Sequence, residues 1–231
     1  MRLLCITACA AGLAFAGQAS AAVNLLTNGS FETGDFSGWT YVGVTPSGFP
    51  AAVIQYNAAA AYPTGAFGEA VPPDDTASPS PDPVGTRAAY FVADGATETL
   101  SQSVFLDVGQ YTIGFSAYVP LNGFTNRGNA TFTGSVAGVN LANFTVDGST
   151  PQDWVHFAGV ANVAVAGFYN TSFVYQSATG AAGDVVIDRA YIVAGDVTGG
   201  IPEPGTWALM ILGFGGAGAS LRMSRRKTAL A

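Results

Sequence analysis

Seven runs in the middle of the chain have the residue pattern of β-strands. Apolar side chains occupy every second position at Tyr111, Ile113 and Phe115, and again at Val185 and Ile187. A period of two puts successive side chains on opposite faces, as in a strand with one buried face. The runs are rich in β-branched and aromatic residues and cover 100–106, 110–119, 129–136, 140–146, 154–165, 168–176 and 184–193.

Turn-forming residues separate these runs, for example Asn122-Gly123, Asp147-Gly148 and Ala182-Gly183. No part of residues 22–198 shows a sustained helical period with caps at its ends. Short strands at this spacing predict an all-β domain over 22–198, an antiparallel β-sandwich of the jelly-roll type.

A proline-rich acidic stretch at 71–85 interrupts the strand pattern. Proline donates no backbone hydrogen bond, so this stretch cannot form a regular ladder. We interpret it as a long surface loop, mobile or extended. It is either a solvated insertion, which we favour, or a rim over a ligand groove.

The charge of the domain excludes one class of partner. Residues 22–200 contain fourteen acidic residues against three basic ones, Arg87, Arg127 and Arg189, a net charge of −11. The whole chain carries only −7, because cations are concentrated outside this region. Such a surface repels phosphate backbones, and we therefore expect no nucleic-acid binding.

The first 21 residues have the organisation of a signal peptide. Arg2 precedes an apolar run from Leu3 to Phe15, and Ala19-Ser20-Ala21 matches the small-x-small pattern that signal peptidase cleaves. Both cysteines lie inside this segment. The mature chain is therefore predicted to contain no disulfide, zinc thiolate or cysteine nucleophile.

The C-terminal segment 199–231 has three parts in order. Pro202, Glu203 and Pro204 come first, 205–221 follows without a charge, and the stretch 222–227 carries four cations. The uncharged stretch predicts a single transmembrane helix, whose basic end stays in the cytoplasm. Four glycines from 213 to 218 would let a second membrane helix pack closely.

This order resembles the PEP-CTERM sorting domain, in the form with Trp-Ala after the motif. The resemblance implies that an exosortase, a membrane-embedded cysteine enzyme, recognises and cleaves near Pro202, Glu203 and Pro204. It also implies a Gram-negative host that makes exopolysaccharide or biofilm. The protein would cross the inner membrane, stay anchored there transiently, and then reach the cell surface or extracellular matrix.

The two ends of the domain, NLLTNGSFETGDFSGW at 24–39 and GDVVIDRAYI at 183–192, resemble the first and last strands of carbohydrate-binding-module-like, galactose-binding-type jelly rolls. The resemblance implies that the two strands are neighbours and that Glu32 and Asp188 hold a structural calcium ion, a cation that prefers hard oxygen ligands. Alternatively, Glu32 faces solvent and Asp188 pairs with Arg87 or Arg127. Phe31 and Trp39 are expected in the core.

An enzymatic function has little support in the sequence. His156 is the single histidine, and we expect it to be a surface or packed residue beside Trp154. No nucleophile elbow, zinc-binding pair or phosphate loop is present. Among fourteen acids no spacing singles out a catalytic pair.

Sugar binding would require exposed aromatic rings for stacking and amides for hydroxyl groups. Candidates are Tyr118, Asn122, Phe124 and Asn126 in one loop region, and Tyr56 and Tyr62 elsewhere. The alternative, which we favour, places Tyr118 in the core. We therefore expect a non-catalytic, exosortase-sorted surface or matrix protein that associates with extracellular polysaccharide. The alternatives are a secreted polysaccharide hydrolase or lyase, and a purely structural protein.

Overall fold

The structure, a computed structural model, describes residues 22–121, 129–146 and 152–195. Ten β-strands lie within these ranges. They are β1 Thr40–Val44, β2 Ala52–Gln55, β3 Arg87–Phe91, β4 Thr97–Leu106, β5 Gly109–Tyr118, β6 Ala130–Val136, β7 Val139–Val146, β8 Val155–Val163, β9 Gly167–Ser177 and β10 Val185–Ala194.

The strands form two five-stranded antiparallel sheets. Sheet A has the order β1-β4-β9-β6-β7, and sheet B has the order β2-β3-β10-β5-β8. This arrangement confirms the predicted antiparallel β-sandwich, and all seven predicted runs are strands. The sequence pattern missed β1, β2 and β3, because two are short edge strands and β3 is rich in alanine.

Aromatic packing fills the space between the sheets. Phe115 of sheet B contacts Phe173 of sheet A with ring centroids 4.9 Å apart, and Phe132 packs against both. All three rings are fully buried. Phe31 and Trp39 join the same cluster, as expected from the sequence.

The N-terminal segment adjoins the last strand, but it is not a strand itself. Residues 24–39 form turns and bends, so the predicted opening strand is wrong. Leu25 nevertheless donates its backbone N–H to the Ile192 carbonyl (2.9 Å), and Ala190 donates to the Gly29 carbonyl (2.9 Å). A Cβ at Gly29 would lie 2.1 Å from the Ala190 oxygen, so this close approach requires glycine.

The proline-rich loop is not the predicted solvated insertion, because part of it is buried against the domain. Val71 and Asp74 are each only 1% exposed, because the loop packs on the outer face of sheet B. The Trp154 indole donates a hydrogen bond to the Pro72 carbonyl (2.8 Å), which links the loop to the sandwich. Strand β10 is consequently buried on both faces over nearly its whole length.

Several predicted features lie outside the described residues. They are the signal peptide at 1–21, the loop residues Asn122, Phe124 and Asn126, and the whole segment 199–231 with its sorting motif, helix and basic end. Within the three described ranges, no helix has the length and apolar character needed to cross a bilayer.

Gly134 of β6 provides a test of the packing between the sheets. A Cβ at this position would lie 2.3 Å from the Phe115 ring, inside the core. We predict that Gly134→Ala lowers the free energy of unfolding by about 1–3 kcal/mol, as overpacking usually does. Gly167→Ala is the matched control, because no atom lies within 4 Å of its added methyl group. Equal denaturation midpoints for the two variants would contradict this packing.

Candidate functional site

The outer face of sheet A carries no charged side chain at any of its strand positions. Residues paired across antiparallel strands point to the same face, so the register identifies the whole set. We call this set the neutral face. Its members are Thr40, Val42, Val44, Thr97, Thr99, Ser101, Ser103, Phe105, Thr131, Thr133, Ser135, Asn140, Asn143, Thr145, Phe168, Asn170, Ser172, Val174 and Gln176.

Apolar side chains flank the hydroxyl and amide groups of the neutral face. Phe105 and Phe168 are paired across β4 and β9, with ring centroids 5.4 Å apart at 78°. Their side chains are 51% and 75% exposed. Val42 and Val44 on β1 are also exposed. The face therefore combines hydrogen-bonding rows with accessible aromatic rings.

The aromatic residues proposed from the sequence as sugar platforms are mostly not at the surface. Tyr118 is buried beneath the proline-rich loop, and so is Tyr56, whose hydroxyl donates to Asp188. Tyr62 alone of the described candidates is partly exposed, in a cluster with Phe49 and Phe67. Sequence patterns gave no indication of Phe105 and Phe168, because only the strand register brings them together.

A polar network lies under the proline-rich loop on sheet B. The His156 Nδ1 lies 3.2 Å from the Ser116 hydroxyl, and its Nε2 lies 3.1 Å from the Tyr191 hydroxyl. Thr76 of the loop contacts both Ser116 (3.3 Å) and Asp74 (2.6 Å). Burial lowers the pKa of His156, which favours the neutral imidazole. The histidine is thus half-buried and packed, as expected.

Two buried aspartates in this region, Asp74 and Asp188, have different polar partners. Asp74 lies 3.8 Å from the Arg189 guanidinium, which is itself largely buried. Asp188 is fully buried and accepts the Tyr56 hydroxyl at 2.5 Å. Burial raises the pKa of Asp188 well above its usual value. Its partner is therefore a tyrosine, and neither Arg87 nor any other described arginine forms an ion pair with it.

A third buried carboxyl, Asp184, accepts a hydrogen bond from Tyr90. Burial raises the pKa of Asp184 to about 7, and the hydrogen bond opposes this only in part. A carboxyl that is so deeply buried is unavailable to a polymer at the surface. It belongs to the packing around Tyr90.

The predicted calcium ligands can be tested for their fit to a cation. Glu32 is exposed, and its Oε1 accepts the backbone N–H groups of Thr86 and Arg87, each at 2.8 Å. Asp188 Oδ1 is buried without a hydrogen-bond partner, which fits a cation at that oxygen. No described group of three His, Cys, Asp or Glu residues could hold a metal ion. Calcium would therefore need backbone carbonyls and water as further ligands, and it stays a prediction.

Comparison with known proteins adds one decisive feature at the C-terminus. Residues 200–227 match the family described as PEP-CTERM protein-sorting motif, and the match includes Pro202, Glu203 and Pro204. The chain carries a PEP-CTERM sorting motif. This motif indicates an exported surface protein that is processed by an exosortase. No curated protein sequence matches the chain.

Solved structures with a similar fold include several carbohydrate-binding modules. TmCBM61 in complex with β-1,4-galactotriose is 20% identical, covers 75% of this chain and 99% of its own, and has a TM-score of 0.45. The CBM22-1 xylan-binding domain of Paenibacillus barcinonensis Xyn10C is 16% identical over 78% and 99%, with 0.40. A cyclase from Fischerella sp. TAU is 13% identical over 77% and 100%, with 0.43.

Proposed function

We propose that the mature sandwich is a non-catalytic surface or matrix protein whose neutral face binds an uncharged exopolysaccharide. The observation that carries this proposal is the absence of charge from one entire sheet face of a domain with a net charge of −11. The uncharged surface therefore suits a partner without charge.

The chemistry of the neutral face matches that of a polysaccharide. Sugar hydroxyls both donate and accept hydrogen bonds, and so do the threonine, serine, asparagine and glutamine side chains of this face. The exposed Phe105 and Phe168 rings can contact the apolar faces of sugar rings. Acidic residues elsewhere on the domain would repel a polyanion, which favours a neutral glycan over an acidic one.

The signal peptide and the C-terminal segment account for how the sandwich would reach the cell surface. After signal peptidase releases the N-terminus, the helix at 205–221 holds the chain in the inner membrane of a Gram-negative host. The exosortase then acts near Pro202, Glu203 and Pro204 and frees the sandwich to the cell surface or the biofilm. These residues act as substrate of the exosortase.

The alternative function is hydrolysis or cleavage of the polysaccharide. One observation favours it, since Ser116 and His156 form a hydrogen-bonded pair at 3.2 Å. Two observations weigh against it. Ser116 is fully buried beneath the loop, and the second nitrogen of the histidine faces Tyr191 rather than a carboxylate. Loss of reducing-end formation in Ser116→Ala would establish the enzymatic alternative.

The binding proposal is tested by placing charges of both signs at one position. Ser103 is exposed on β4 beside Asn170, in the neutral face. We predict that Ser103→Glu and Ser103→Lys each weaken binding to the producer's purified polysaccharide roughly tenfold, about 1.4 kcal/mol. This is because the introduced carboxylate or ammonium group would lose water on binding and gain no opposite charge from a neutral partner. Phe168→Ser, which removes a ring, should weaken binding similarly.

The matched controls are Ala158→Glu and Ala158→Lys, on the exposed part of β8 in sheet B. Neither should change the affinity measured by calorimetry. Stronger binding by Ser103→Lys with weaker binding by Ser103→Glu would identify an anionic partner and overturn the proposal. Unchanged binding in all three face variants would remove the neutral face from consideration.

A structural calcium ion is a second, separate proposal for this domain. The unpartnered Asp188 oxygen supports it. We expect calcium at about 100 times its dissociation constant to raise the melting temperature by on the order of 5 °C. Glu32→Gln and Asp188→Asn should abolish this increase, while Asp107→Asn, at an exposed position between β4 and β5, should retain it. A melting temperature that calcium leaves unchanged would exclude the site.

A further inference from the structure

An open cleft lies at the edge of the sandwich beside β2, away from the neutral face. Its volume is about 400 Å³, within the range typical of small-ligand sites. The segment before β1 forms one wall, and the ends of β2 and β3 form the other. The residues that carry its chemistry are Gly34, Asp35, Phe36, Gln55, Thr64 and Arg87.

Arg87 is the most unusual group in this cleft. Ala89 and Phe91 of β3 are core residues, so Arg87, two and four positions earlier, points to the same side, where the sandwich is open. Its guanidinium has no hydrogen-bond or ion-pair partner within the described ranges, although the domain is strongly acidic. Guanidinium groups present a planar fork of donors suited to paired oxygens.

The Arg87 guanidinium lies close to Gly34. A Cβ at Gly34 would be 3.2 Å from the guanidinium carbon, so the planar group rests near the backbone there. Gly34 also has a φ of +85°, which a larger residue would adopt with strain. The cleft thus has a defined donor on one wall.

Asp35, the residue after Gly34, supplies an acceptor beside this donor. Its Oδ1 accepts the Ser37 backbone N–H (3.0 Å) and the Thr33 hydroxyl (2.8 Å), which fixes the orientation of the carboxylate. Hydrogen bonds from the Ser37 side chain, the Ser37 backbone N–H and the Thr33 hydroxyl, in that order of effect, hold the pKa of Asp35 below its usual value. Asp35 and Arg87 do not form an ion pair, and both line the cleft.

We propose that this cleft binds one neutral sugar residue through a pair of adjacent hydroxyl groups. One hydroxyl accepts from the Arg87 guanidinium and the other donates to the Asp35 carboxylate, while the Gln55 amide and the Thr64 hydroxyl reach further oxygens. The Phe36 ring provides an apolar wall. The proposal rests on the proposed function for its ligand class, but it places a second site at a different part of the sandwich.

The choice of a neutral sugar follows from the charges of the cleft. A uronate would gain a bidentate pair with Arg87 but would meet the Asp35 carboxylate in the same small volume. A neutral residue satisfies both groups, because each hydroxyl can donate to the carboxylate or accept from the guanidinium. Two sites on one molecule would also raise the avidity for a polymer.

The test follows the Arg87 side-chain Nε–H resonance by NMR in the full chain, held in a sugar-free detergent and assigned with Arg87→Gln. The probes are glucose, galactose and mannose, each compared with its own uronic acid. We expect at least one neutral hexose to shift the resonance saturably. Arg87→Lys lacks this resonance and is followed instead through the side-chain amide of Gln55, which lines the same cleft. Arg87→Lys and Asp35→Asn should each weaken that binding at least fivefold. In Asp35→Asn the amide oxygen keeps the acceptor of the turn, but the negative charge is lost.

Phe168→Ser is the control that separates the two sites, because it should leave the cleft titration unchanged. Thr64→Ala offers a second lesion at an exposed side chain if an Arg87 variant misfolds. A shift with uronic acids only would make the cleft an anion site and overturn the proposal. The absence of a shift with any of the six sugars would also overturn it. Loss of polymer binding in Phe168→Ser, with the cleft titration unchanged, would concern only the proposed binding at the neutral face.

Discussion

The packing of phenylalanine rings between the two sheets is the interaction on which the rest of the structure depends. Phe115, Phe132 and Phe173 come from three strands of two sheets, and their mutual contacts hold the sheets face to face. This core fixes the strand register, and the register decides which side chains point outward. Every surface property of the sandwich follows from that arrangement.

The outer faces of the two sheets differ in what covers them. The proline-rich loop covers part of the outer face of sheet B, with a network of buried polar groups around Asp74, Arg189 and His156 beneath it. The outer face of sheet A stays open and uncharged. This asymmetry is why binding is assigned to sheet A, and why the buried Ser116–His156 pair is better explained as part of the packing.

Much of the fold was predictable, because strands with one buried face alternate visibly in sequence. The short edge strands β1 and β2 were not, since they have only five and four residues, too few to show a clear alternation. The neutral face also escaped prediction, because its members are scattered over five strands that only the register aligns. Burial of the proline-rich loop depends on long-range contacts, such as that of Trp154 with Pro72, which no local pattern encodes.

The central claim is that an uncharged face of an acidic protein meets an uncharged polymer. Its most direct test is the affinity of the released protein for the producer's purified polysaccharide between about 0.1 and 1 M sodium chloride, where the Debye length falls from roughly 10 to 3 Å. We expect a dissociation constant that stays within about twofold across this range. A tenfold or greater weakening at high salt would show that binding depends on charge, and would contradict it.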